Sequence, residues 1–144
     1  MRIRSFVARL TRPSIVVYAH CDLPCGVYDP AQARVEAESV KAIQERYQNA
    51  GQFHGANQTL ADYQGRALAI KEQRAELVKH HLWVLWTDYF TPAHLEKYPN
   101  LHQLFWTATK EAGAAKKSQD PAQGQRLLDA IAEIDKIFWE TKRA

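Results

Sequence analysis

Apolar residues recur three and four positions apart through most of the chain, a spacing that brings them to one face of an α-helix. The pattern predicts four helices, over about residues 29–51, 57–90, 99–117 and 120–144. No stretch sustains the alternation of apolar and polar residues that a half-buried strand shows. The body of the protein is therefore predicted to be all-α, an antiparallel four-helix bundle.

Several residues mark where these helices should begin and end. Asp29 and Asp120 stand at N-cap positions, and each is followed by a proline that suits the first helical turn. Gly51 is predicted to lie just past the end of the first helix, and Gly65 is a weak point within the second. The stretch "TPAHLEKYP", residues 91–99, is predicted to interrupt the helical pattern.

Length and composition place the chain among ordinary globular proteins. Its 144 residues, 46% hydrophobic and 24% charged, fit a single domain with one core. No apolar run approaches the ~20 residues that a membrane-spanning helix needs, so no membrane partner is predicted.

The positive charge is concentrated at the N-terminus. The formal net charge is +3, but residues 1–19 contain four arginines and no acid, which leaves 15 basic and 16 acidic side chains elsewhere. Because a nucleic-acid-binding protein carries a dense basic face on its folded part, nucleic acid is not a predicted partner.

Residues 1–19 have the composition of a removable leader. They are rich in arginine and free of acid, and Val17 and Ala19 suit a cleavage site with small residues. We predict that this leader is removed on maturation, which leaves residues 20–144 as a single domain. A plain N-terminal extension is the alternative.

The tryptophans and histidines of the predicted helices are not assigned to a cofactor or metal site. Tryptophans on helices belong more often to the core or to subunit contacts than to a cofactor site. Histidines are candidate metal ligands, but their spacing here is not typical of ligands, so they stay unassigned. The residues concerned are Trp83, Trp86, Trp106 and Trp139, and His80, His81, His94 and His102.

Both cysteines of the chain lie in "HCDLPCGVYDP", residues 20–30. A local disulfide, half of a zinc site, a redox pair and two inert thiols are all open interpretations. A redox pair usually has two residues between its sulfurs, whereas three separate Cys21 from Cys25. A structural zinc site would need two further ligands.

A cut between Ala19 and His20 would turn this segment into a dense chelator. The new terminus offers an α-amine and an imidazole, and Cys21 adds an amide nitrogen and a thiolate. An amine, an ionised amide and two thiolates form a planar N2S2 set, a geometry diagnostic of Ni(II) or Cu(II) rather than zinc. The turn at Pro24 and Gly26 can fold the second cysteine back towards the first.

The segment "HCDLPCGVYDPAQARVEAESVKAIQE" resembles the start of the mature nickel superoxide dismutases. The likeness continues through "IKEQRAELVKHH", through "VLW" and "DYF" on either side of residue 87, through "HLEKYP" and "LHQL" on either side of residue 100, and through "IDKIFWETK". It covers nearly all of residues 20–144. It implies a four-helix bundle, residues 29–144, with an N-terminal hook, residues 20–28, that holds one nickel ion per subunit of a homohexamer. It also implies dismutation of superoxide to dioxygen and hydrogen peroxide, with nickel alternating between Ni(II) and Ni(III), after a maturation protease has exposed His20.

The resemblance also assigns the nickel ligands. His20 supplies its α-amine and, in the oxidised state, its imidazole as an axial ligand. Cys21 supplies its amide nitrogen and thiolate, and Cys25 supplies the second thiolate.

Around these ligands, the resemblance implies supporting roles for five other residues. Glu36 and Arg74 match the residues that hold the His20 ring. Asp22 and Tyr28 match residues that line the approach to nickel, and Tyr28 is a candidate gate and member of a proton network. Tyr89 is a further companion at this approach.

Two features depart from the family pattern. Thr91 stands where the family often carries a lysine suited to attracting superoxide, so we expect weaker attraction or attraction from another group. The loop around residues 48–65 is longer than in the family, with an unknown effect on subunit contacts.

A second hypothesis for function is a non-catalytic metal-binding or helical interaction module that sequesters nickel, copper or zinc in the hook. For location, two reduced, metal-bound thiols favour the cytoplasm. Export or organelle import through residues 1–19 are the alternatives.

Overall fold

The computed structural model describes residues 26–143, and within that range the chain forms helices and no strands. The elements in chain order are α1 (Ala31–Gln48), α2 (Ala50–Phe53), α3 (Leu60–Val84), a π-helical turn (Leu85–Tyr89), α4 (Pro92–Lys97), α5 (Leu101–Lys117) and α6 (Pro121–Lys142). None of the helices in this range is long and apolar enough to cross a membrane.

The four long helices form a ring in which each packs against two others, in the order α1, α3, α5, α6. Contacts between their ends show that neighbours run antiparallel. Lys142, at the end of α6, reaches Gly26 just before α1, and Lys71, early in α3, reaches Ser118 just after α5. The predicted antiparallel four-helix bundle is confirmed.

The core consists of apolar side chains that repeat at helical spacing on all four long helices. Small residues on α1 and α5 allow close approach, and the larger Leu, Ile and Phe side chains fill the space between helices. Burial of each large side chain contributes about 1.5–3 kcal/mol. The large fully buried members are Leu82, Leu101, Leu127, Ile131, Ile134 and Phe138.

The predicted start of α6 at Asp120 is confirmed, whereas α1 begins one residue later than predicted, with Pro30 at its N-cap. Asp29 Oδ1 accepts a hydrogen bond from Ala31 N at 2.7 Å, and Asp120 Oδ1 accepts one from Ala122 N at 2.9 Å. Because the first N–H groups of a helix have no partner within the helix, these side chains fix where α1 and α6 begin.

Other predicted boundaries are wrong. The first long helix ends at Gln48, because the Asn49 side chain binds a carbonyl of the last turn, and Gly51 lies inside α2. Helix α3 continues through Gly65 without a break, and the last turn predicted for it is π-helical. The interruption predicted at residues 91–99 is present, since it separates the π-helical turn from α5, and it contains the short helix α4.

The tryptophans are divided between core and surface. The Trp86 ring packs against the core, with its centroid 5.2 Å from that of Phe105. Trp83, Trp106 and Trp139 are 48%, 54% and 40% exposed in the single chain, so they do not belong to the core. Their place in subunit contacts stays a prediction.

Candidate metal centre

The predicted nickel ligands His20, Cys21 and Cys25, together with Asp22, lie outside the described residues. The described chain begins at Gly26, directly after the second cysteine. The structure therefore shows the end of the bundle from which the hook extends. This end is formed by the start of α1, the end of α3 with its π-helical turn, and the end of α6.

The four unassigned histidines make ring contacts in this part of the molecule. The His80 and His81 centroids lie 5.5 Å apart, His94 stacks on Tyr89, and His102 meets Trp86 edge to face. Within residues 26–143, no three His, Cys, Asp or Glu side chains are grouped as a metal site would require.

Glu36 and Arg74, which the family resemblance pairs, are in contact. Nη1 of the arginine donates to both carboxylate oxygens of the glutamate, at 3.2 Å each. Antiparallel packing of α1 against α3 brings together two residues that are 38 positions apart. The glutamate side chain is 15% exposed, so water competes weakly for this charge-assisted contact.

Tyr28 and Tyr89 also meet, with ring centroids 5.6 Å apart. The π-helical turn, closed by a hydrogen bond from Phe90 N to Leu85 O at 3.1 Å, places Tyr89 at the end of α3. Its hydroxyl shares a 2.7 Å hydrogen bond with Thr141 Oγ1 on α6. The Tyr89 ring, which belongs to the predicted approach to nickel, is thus held by the π-helical turn and by α6.

His81 lies between these two pairs of residues. With Gln32 it lines one surface cavity that includes Glu36 and a second that includes Tyr28. Burial holds the pKa of His81 below its ordinary value, and neighbouring His80 adds to the lowering, while Glu36 opposes it. Sequence reasoning left this histidine unassigned because its closeness to α1 arises only in the folded bundle.

Lys142 is a second residue that sequence reasoning did not single out. Its Nζ donates to Gly26 O at 3.1 Å and lies 5.4 Å from the Tyr89 ring centroid. The segment "IDKIFWETK", which is part of the family resemblance, ends on this lysine. This match was the feature of the sequence that could have pointed to Lys142.

Thr91, the departure from the family pattern, directly precedes α4. Its backbone N–H donates to His94 Nδ1 at 3.3 Å, and its side chain carries no charge. The structure thus gives Thr91 a local role at the start of a helix.

Comparison with known proteins identifies the family of this chain. A family model described as nickel-containing superoxide dismutase matches residues 15–142. The chain belongs to the nickel-containing superoxide dismutase family. Superoxide dismutase [Ni] of Streptomyces coelicolor is 61% identical over 138 residues, which cover 96% of this chain and 99% of the relative. The same enzyme of Streptomyces seoulensis is 62% identical, with the same coverage.

Solved structures of nickel superoxide dismutase share the fold. A crystal structure of the nickel-containing enzyme, with ligation corresponding to the oxidized state, matches with a TM-score of 0.76 and 66% identity, covering 87% of this chain and 100% of the solved one. Membership of this family of oxidoreductases confirms the predicted enzyme class and nickel cofactor, and favours the enzyme over a non-catalytic module. The assignment of individual ligands stays a prediction.

Proposed function

We propose that this chain dismutates superoxide at a nickel site in the hook, residues 20–28, after cleavage between Ala19 and His20. One observation carries the proposal. Within the described residues, the Tyr28 ring packs against the Tyr89 ring, and Glu36 is paired with Arg74. These are the groups that the family resemblance assigns to the surroundings of the nickel ion.

The donors of the hook fit nickel. His20 would contribute its terminal amine and its imidazole, Cys21 an amide nitrogen and a thiolate, and Cys25 a second thiolate. Amine and amide nitrogens together with two thiolates would form a donor set that suits Ni(II) rather than zinc. When bound, nickel supplies the one-electron chemistry by alternating between Ni(II) and Ni(III).

The protein's own groups position the reactants. The Glu36 carboxylate, held by Arg74, would accept a hydrogen bond from the His20 imidazole and so orient that ring, as the family resemblance implies. Tyr28 and Tyr89 narrow the approach to the hook, which limits access to oxidisable thiolates. Forming hydrogen peroxide from superoxide takes one electron and two protons. The Tyr28 hydroxyl is a candidate member of the hydrogen-bond network that delivers the two protons.

Removal of residues 1–19 is supported by their composition, which is rich in arginine and free of acid, and by Val17 and Ala19, which suit a cleavage site with small residues. We expect a maturation protease to cut before His20.

The assembly is proposed to be a homohexamer located in the cytoplasm, with export or organelle import as alternatives. Exposed tryptophan side chains support association, because tryptophan is enriched at protein–protein interfaces. The three tryptophans concerned are Trp83, Trp106 and Trp139.

The test compares the full chain with chains that begin at His20 and at Ala19. All contain every predicted ligand side chain, but only the His20 chain has its terminal amine in the position for chelation. We expect it alone to combine stoichiometric nickel with fast superoxide decay, measured by metal analysis and pulse radiolysis. Active protein that retains Met1 by intact mass would overturn the proposal.

Replacement of single ligands separates enzyme from sequestering module. In the His20 chain, Cys21→Ser and Cys25→Ser should each lose nickel and activity together. Nickel binding by the unmodified His20 chain without superoxide turnover would favour the non-catalytic module.

A further inference from the structure

The Lys142 side chain connects the end of α6 to the base of the hook. Its Nζ donates to Gly26 O at 3.1 Å, across 116 positions of sequence. Gly26 has a φ of +62°, a conformation that residues with a Cβ adopt only with strain. The lysine thus binds the chain where it turns sharply, one residue after Cys25.

The same ammonium group lies over two aromatic rings. It is 5.4 Å from the centroid of Tyr89 and 5.6 Å from that of Phe138, within the ~6 Å range of cation–π contacts. Phe138 is fully buried, and the Tyr89 hydroxyl is bonded to Thr141, so both rings are fixed. One carbonyl and two rings therefore determine where the charge of Lys142 lies.

All three of these partners are uncharged. Lys142 forms no ion pair with a carboxylate in residues 26–143, in contrast to Lys116, which binds Glu76 at 2.8 Å. Because no described carboxylate is paired with this cation to offset its field, the field extends over the adjacent surface to about the Debye length. That surface carries the Tyr28–Tyr89 pair, and the substrate is an anion.

We propose that Lys142 is a positioning residue that fixes the base of the hook through Gly26 and attracts superoxide to the Tyr28–Tyr89 approach. The inference rests on the proposed function, because it takes the hook as the place where nickel is held. The lysine acts through its hydrogen bond and its field.

The test of attraction uses nickel-loaded, mature protein with Lys142→Met, Lys142→Arg and the control Lys136→Met. Lys136 lies on the same helix and forms no ion pair within the described range. We expect Lys142→Met to lower the second-order rate about two- to fivefold at low ionic strength and to flatten its decline with salt. The arginine variant should keep both properties, and the control should match the wild type.

The test of positioning does not depend on activity. Hydrogen–deuterium exchange of the segment around residues 20–30 is measured in the nickel-free wild type and in the three variants. Faster exchange in Lys142→Met, but not in Lys136→Met, supports the Gly26 contact.

The outcomes separate this inference from the proposed function. Unchanged salt dependence in Lys142→Met overturns the attraction, and unchanged exchange overturns the positioning. A wild-type chain that binds nickel without dismutating superoxide would instead overturn the proposed function, while the exchange experiment still decides whether Lys142 holds Gly26.

Discussion

Arg74 on α3 donates from Nη1 to both carboxylate oxygens of Glu36 on α1, at 3.2 Å each. The glutamate side chain is only 15% exposed, whereas the arginine is 40% exposed. A largely buried carboxylate without a partner is costly, so the arginine fixes the position of this group. We assign that carboxylate to the orientation of the His20 ring.

Replacement of this arginine by Arg74→Gln should affect activity more than stability. We expect the free energy of unfolding to fall by about 1 kcal/mol, since water screens the exposed guanidinium. The dismutation rate should fall by about tenfold, because a residue that orients a metal ligand loses its partner. Denaturant unfolding and pulse radiolysis measure the two effects.

Arg34→Gln is the matched control for this variant. Arg34 pairs with Glu38 at 2.9 Å on the outer face of α1, with both side chains about half exposed. We expect a stability change below about 0.5 kcal/mol and an unchanged rate. Similar losses of rate in the two variants would show that the Glu36 contact has no special role.

The fold could be predicted from sequence because helix periodicity and helix starts are local signals. Asp29 and Asp120 begin their helices with side chains that act within three residues. Helix ends were less predictable. Asn49, rather than Gly51, provides the contact that ends α1. No periodic spacing of apolar residues predicted α4.

The site was predictable only in part, because most of its contacts join distant parts of the chain. Resemblance named Glu36 and Arg74, and the bundle brings them together. The proximity of Lys142 to Gly26 depends on antiparallel packing of α6 beside α1, and no spacing in the sequence encodes it. Nothing in the sequence distinguishes His81 from an ordinary surface histidine either, because its closeness to α1 arises only in the folded bundle.

Lys71 lies at the other end of the bundle and is 1% exposed. Its Nζ donates to Ser118 O at 2.6 Å, and Gln44 Nε2 donates to the same oxygen at 3.0 Å. These bonds link α1 and α3 to the connection between α5 and α6. Burial lowers the pKa of Lys71 from its ordinary 10.5, although Glu72 opposes the change.

This pKa shift predicts how the stability of the folded protein depends on pH. Because the folded-state pKa is below the unfolded value, the unfolded chain binds more protons between the two values, and stability rises with pH there. Lys71→Met lacks this contribution, so the wild type should gain stability relative to the variant as pH is raised towards 10.5. Urea unfolding over that window measures the difference. A difference that stays constant with pH would contradict the prediction.

Gly124 on α6 marks a close approach to α1. A Cβ built there would lie 2.5 Å from Gln44 Oε1, 2.7 Å from Lys41 Cβ and 2.8 Å from Lys41 Cα. The Lys41 atoms belong to or adjoin the backbone, so rotation of a flexible side chain cannot relieve the contact. Gly65, in the second turn of α3, has nothing within 4 Å of the corresponding position.

Alanine at these two glycines should change stability in opposite directions. Gly124→Ala forces α6 away from α1, and we expect it to lower the free energy of unfolding by about 1–3 kcal/mol. Gly65→Ala meets open space and restricts the unfolded chain in an exposed helix, so it should raise the free energy by about 0.5–1 kcal/mol. Denaturant unfolding of both variants under one set of conditions makes the comparison. A Gly124→Ala protein as stable as the wild type would show that α1 and α6 do not pack this closely.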